Sequence, residues 1–220
     1  MGPAEALVGL FASPGDLFRR WARKPNPILA WVWPMLWLGV WWAYLAVRYP
    51  AGIHGIAGFT AAALLVTAFL AFEGGFLTFA INSGLAIPFA GGLGFGRAFV
   101  RSLGAVCLTP WWPGASILGI LLDLVSREAF RHFRSVRDVQ SFGALWMLLW
   151  FILFVYGVVL FFYAYHRVMA TETDGGEYVT DFGRYLLGLL LALVFGSVAF
   201  AVSVAFHMAL VLGVIANAID

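Results

Sequence analysis

The sequence predicts an all-α fold: a polytopic membrane helix bundle of about five membrane helices, with short interfacial amphipathic helices beside them. Three observations predict it. Hydrophobic residues make up 63% of the chain and charged residues 11%, against roughly 25% charged in a soluble domain. The mean hydropathy is +0.93. Runs such as "ILAWVWPMLWLGVWWAYLAV" and "ALWMLLWFILFVYGVVLFFYAY" reach the ~20 apolar residues that cross a bilayer core. The chain divides into a basic N-terminal interfacial helix, residues 1–27, and a single transmembrane helical domain, residues 28–220.

The first element is written in "SPGDLFRRWARKPNP", residues 13–27. Ser13 and Asp16 form an S-x-x-D capping box, Pro14 suits the first helical position, and Pro25 and Pro27 end the run. Leu7, Leu10, Phe11, Leu17, Phe18 and Trp21 follow helical spacing, with Pro14 filling one slot of the stripe. Arg19, Arg20, Arg23 and Lys24 occupy the other face. A helix of this kind lies in the headgroup layer, each cation contributing about 1 kcal/mol near anionic lipid. Trp21 and these cations are the expected contacts to lipid or to a partner protein. Residues 1–12 lack the basic start and long apolar core of a cleavable signal, so the first span is expected to do the targeting.

That span runs from Ile28 to Val47 and holds Trp31, Trp33, Trp37, Trp41 and Trp42. The outer tryptophans suit the membrane interfaces, whereas Trp37 near the middle packs on a helix or a lipid tail rather than lining a pigment pocket. The second span runs from Gly55 to Phe79, interrupted late by Glu73, Gly74 and Gly75. A Gly-rich connector follows, "INSGLAIPFAGGLGFGR", whose glycines do not fit a nucleotide-binding loop. Residues 98–125 are apolar enough to cross but are broken at Pro110 and Pro113, which leaves a kinked span or a re-entrant hairpin. "SREAFRHFRSVRD" then predicts a second interfacial helix, with Arg127, Arg131 and Arg134 on one face as further lipid or partner contacts. Two spans remain, Gly143–Tyr165 and Tyr185–Val214, joined by the acidic loop "MATETDGGEYVTD". The last is long for one crossing and should tilt or protrude.

Cations fix the orientation. With five spans, the side of the N-terminus holds Arg19, Arg20, Arg23, Lys24, Arg97, Arg101, Arg167 and Arg184, eight against five. With a re-entrant third segment the count becomes ten against three. Both place the N-terminus in the cytoplasm, and the charge count by itself favours re-entry.

"LFASPGDLFRRWARKP" before a first span, a second span ending in Gly-rich sequence, "CLTPWWPGASILGIL" and "ALWMLLWFILFVYGVVLFFYAYHR" together resemble the bacterial branch of the Yip family, the Ypt/Rab-interacting membrane proteins. The likeness covers most of the chain in the order of its segments, and the arginine-rich connector before the fourth span departs from it. It implies five membrane helices, no catalytic site and a place in the bacterial inner membrane.

Few residues offer chemistry. Glu73 is read as the only carboxylate inside an apolar run, where an acid costs about 2.5–3.5 kcal/mol; a salt bridge to Arg97 or Arg101, or a proton-carrying role, would explain it. His54, His132, His166 and His207 are set too far apart for a haem or metal pair, apart from a weak pairing of His54 with His207. Glu172, Asp174, Glu177 and Asp181 fail the EF-hand order at its fifth ligand position. Cys107 is the one cysteine, set in apolar sequence that keeps a thiol inert. No hydrolase or zinc motif is present, and no cofactor or metal is expected. The +2 net charge rests on few residues and implies no nucleic-acid partner. Ser197, Ala201, Ala205, Ala209 and Gly213 recur every four residues in the last span, a small-residue seam for packing on the bundle or on a second chain. The expected function is non-catalytic: an integral membrane protein that organises lipid or partner subunits, with a membrane-protein partner or a homo-oligomer. The alternative is a small transporter or channel using Glu73 and the broken third segment.

Overall fold

Pro14 decides how the chain begins. Proline lacks an amide hydrogen and pushes the residue before it out of the α region, and Ser13 accordingly adopts φ −151° and ψ 64°. In the computed structural model, which describes residues 2–48, 74–132, 136–172 and 178–219, the expected single stripe is therefore two helices. These are α1 (Pro3–Ala12) and α2 (Pro14–Arg23). They fold together at Gly9, where a Cβ would sit 3.1 Å from Leu17 Cβ. Ser13 is the N-cap and Pro14 follows it, but the capping box is not made: Ser13 offers no side-chain cap bond, and Asp16 pairs with Arg19 at 3.7 Å.

Asn26 starts α3 (Pro27–Arg48), its Oδ1 accepting from the Leu29 amide at 3.1 Å, which serves one of the orphan donors of the first turn. The next described helix is α4 (Gly74–Leu93), tightened to a 3-10 turn at Ile87–Phe89. The Gly-rich stretch read as a connector is thus mostly helix. Its Gly84 serves close approach rather than flexibility, because a Cβ there would strike the backbone of Ala192. The helix stops at Gly94, whose φ of +76° suits glycine alone.

Two helices follow, α5 (Phe95–Cys107) and α6 (Trp111–His132), parted at Pro110. Their register against the N-terminal half answers the question of re-entry. Trp21 Nε1 donates to the Arg101 carbonyl at 2.9 Å. Trp33 Nε1 lies 3.5 Å from the Thr109 carbonyl. Ser116 Oγ donates to the Trp37 carbonyl at 3.0 Å, and Tyr44 donates to Asp123 at 2.6 Å. Both members of each pair advance along the chain together, so residues 95–126 run parallel to residues 21–48. A hairpin would turn back; this segment is a kinked crossing.

The last turns of α6 and the start of α7 (Val136–Met169) take up the described residues of the arginine-rich stretch, so among them no separate second interfacial helix forms. No proline or glycine lies between Pro113 and His132 except Gly114 and Gly119, both early in the helix, so nothing ends α6 at the membrane boundary. The helix α7 runs back antiparallel to α6, with Trp111 seated on Gly157 and Leu153 against Gly114. A two-residue ladder, β1 (Thr171–Glu172) with β2 (Tyr178–Val179), pairs Thr171 with Val179 and leads into α8 (Phe182–Ile219). Asp181 caps α8, its Oδ1 accepting from the Arg184 amide at 3.1 Å.

Among the described residues five segments are long and apolar enough to cross a membrane: Pro27–Arg48, Gly74–Leu93, Phe95–Ser126, Arg137–Met169 and Phe182–Ala209. The buried core gathers at one end, the proximal end, where Leu10, Phe18, Trp21, Leu85, Leu103 and Tyr165 are at most 1% exposed. The N-terminal helices and the spans thus share one core.

Candidate functional site at the proximal end

The apolar face of α2 is its docking face. Leu17, Phe18, Trp21 and Ala22 are buried against α5 and α7. The indole of Trp21 lies directly over Gly104, where any side chain would collide with it. Trp21 was expected at lipid or a partner and is instead fully buried in the chain's own core. Its N–H explains the preference: docking gives it the Arg101 carbonyl, which a lipid tail could not supply.

Docking leaves the opposite face outward. Arg19, Arg20, Arg23 and Lys24 are exposed at the end of the bundle that also carries Arg97, Arg167 and Arg184. Arg20 pairs with Glu5 at 2.5 Å, the two side chains 65% and 48% exposed. Between α1 and α2 lies a cleft of about 380 Å³. The C-terminal turn of α1 is fixed to α7, where Tyr156 donates to the Leu10 carbonyl at 2.7 Å and stacks on Phe11 at 6.1 Å.

Glu73 and Arg134 lie outside the described residues, as do His54, Asp174 and Glu177. Arg127 and Arg131 are described only as backbone in α6, and Gly213 only as backbone in α8. Ser197, Ala201, Ala205 and Ala209 are exposed, so among the described residues they do not pack on the bundle. The packing stripe of α8 is another one: Gly188 under Tyr165, Ala192 under Gly84, and Gly196 against Ile81. This G-x-x-x-A-x-x-x-G spacing was equally readable in the sequence. His166 is exposed near the end of α7, while His207 lies deep in α8 with Nδ1 2.6 Å from the Ser203 carbonyl. Among the described residues no group of three His, Cys, Asp or Glu could hold a metal.

Two polar clusters escaped the sequence reading. Asp123 is a second acid inside an apolar run, held between α3 and α6 by Tyr44 and by Arg48 Nε at 3.3 Å. A signal for it existed, since Ser116, Gly119 and Asp123 share one face of α6, opposite Trp37, Trp41, Tyr44 and Arg48 on α3. The other joins α4 to α5: fully buried Asn82 donates to the Phe99 carbonyl at 2.8 Å and accepts from Ser102 at 2.5 Å. Both tie helices together in a setting where an unpaired polar group is costly.

Compared with known proteins, the chain matches no family, no curated protein and no solved structure. What its five apolar crossings establish is an integral membrane protein of the all-α class.

Proposed function

We propose that the chain is a non-catalytic membrane protein of the bacterial inner membrane that organises lipid or partner subunits, a Yip-like scaffold with its N-terminus in the cytoplasm. One observation carries this reading: the amphipathic helix α2 is clamped by its buried face to α5 and α7, so its three arginines and the C-cap Lys24 form a fixed basic ledge at the bundle end. A loose surface helix would bind and release; a clamped one presents the same charges at the same height. The proximal end also carries eight of the 13 Lys and Arg residues, which supports placing it on the cytoplasmic side. The test is reconstitution. Purified protein in proteoliposomes should carry no ion or proton current above empty vesicles, and Glu73→Gln should change nothing. A pH-dependent flux that vanishes in Glu73→Gln would replace the scaffold with a transporter.

A further inference from the structure

The cleft between α1 and α2 has a divided chemistry. Ala4, Val8 and Leu17 give it hydrocarbon walls, and Glu5 and Arg20 also line it. Arg20 uses Nη1 for Glu5. A guanidinium carries five N–H donors in a planar fork that suits phosphate oxygens, and the other edge of this one meets no acceptor among the described residues. The ion pair therefore fixes Arg20 across the cleft without using up its donors. Lys24 lies one turn further along the same face.

Depth and charge both point to the bilayer as the source of the occupant. The C-terminal turn of α1 is held at Tyr156, 13 residues before the end of α7 at Met169, which is about 20 Å along the helix. The α1 helix therefore lies alongside the apolar run of α7 rather than out in solvent. Val8 and Phe11 are 64% and 52% exposed, apolar surface that lipid tails cover at no cost. Across both helices Glu5 and Asp16 are the only acids against three arginines, with Lys24 adding a fourth cation at the C-cap of α2, so the surroundings favour a negative headgroup.

We infer that this cleft binds one anionic phospholipid of the adjoining leaflet, an acyl chain along Ala4, Val8 and Leu17 and the phosphate on the open edge of Arg20. The inference rests on the lipid-organising reading and narrows it to one site. It is tested by titrating delipidated protein in mild detergent with short-chain phosphatidylglycerol and counting bound lipid by native mass spectrometry. Arg20→Gln removes the phosphate donor. Val8→Trp fills the cleft from an exposed position, with Ala4→Trp as a second filler should the first fail to fold. Arg19→Gln removes the same charge from outside the cleft.

Wild type should bind one lipid saturably. Arg20→Gln and the filler should each weaken binding about tenfold, Arg19→Gln less than about twofold, and inorganic phosphate should not compete. Equal losses in Arg19→Gln and Arg20→Gln would reduce the site to diffuse charge attraction and overturn it. So would an unaffected filler variant, or displacement of the lipid by phosphate alone, which would mark a free-anion site. A scaffold that holds its lipid elsewhere would still retain one lipid in both cleft variants, whereas failure of the scaffold reading itself appears as flux in proteoliposomes.

Discussion

Gly104 and Trp21 are one feature seen from two helices. The indole rests on the bare backbone of α5, so Gly104→Leu should push α2 off the bundle at a cost of about 1–3 kcal/mol, typical of overpacking. Unfolding midpoints should fall, and limited proteolysis within residues 1–27 should quicken. Trp21→Phe, which keeps most of the volume and loses only the bond to the Arg101 carbonyl, should cost about 1 kcal/mol. The face of Trp21 was legible in the sequence, but its neighbour was not. Lipid tails are as apolar as leucine, so an amphipathic stripe tells which side is greasy without telling whether protein or lipid covers it. Asp123 was missed for a different reason: it is recognisable only with Ser116 and Gly119 as a face, not as a single letter. Asp123→Asn should lower stability by about 0.6–1.7 kcal/mol, the range of interhelical polar contacts in bilayers. Denaturation in mixed micelles would measure it.

At the scale of elements, α8 carries two small-residue stripes on different sides. The one containing Gly188, Ala192 and Gly196 meets α4 and α7, whereas Ser197, Ala201, Ala205 and Ala209 face outward. Periodicity reveals both and ranks neither, because what decides is the partner, and the partner glycine, Gly84, lies more than a hundred residues earlier. Ala192→Leu should therefore lower the unfolding midpoint of the monomer. The double change Ala201→Leu with Ala205→Leu should leave that midpoint unchanged, and any effect should appear only in the oligomer distribution on a sizing column. The Gly-rich stretch before Gly94 teaches the same lesson. A glycine that would loosen a helix in water can allow backbone contact in a bundle, as Gly84 does against Ala192, and the predicted connector is helix through most of its length. The kinked third crossing was half legible, with Pro110 giving the break and only the parallel register against α3 giving the direction.

That register sets the topology of the whole molecule. The start of α7 lies at the end opposite α2, so a cysteine at the exposed Lys24 and a cysteine at Gln140 should be labelled from opposite sides of the membrane, in a Cys107→Ala background. Labelling of both from one side would restore the hairpin. The five-span architecture itself was readable from hydropathy, since the length of an apolar run answers directly to bilayer thickness. The contacts that close the bundle, in contrast, span long stretches of chain: Trp21 bonds to a residue 80 positions on, and Tyr156 reaches Leu10 across 146 positions. Synthesis proceeds at about 5–20 residues per second, so α2 waits several seconds for α5 and longer still for α7. During that interval its indole face has only the headgroup layer to lie on. The helix is therefore a surface anchor in the nascent protein and a core element in the finished one, and its docking onto Gly104 marks the moment at which the bundle is complete.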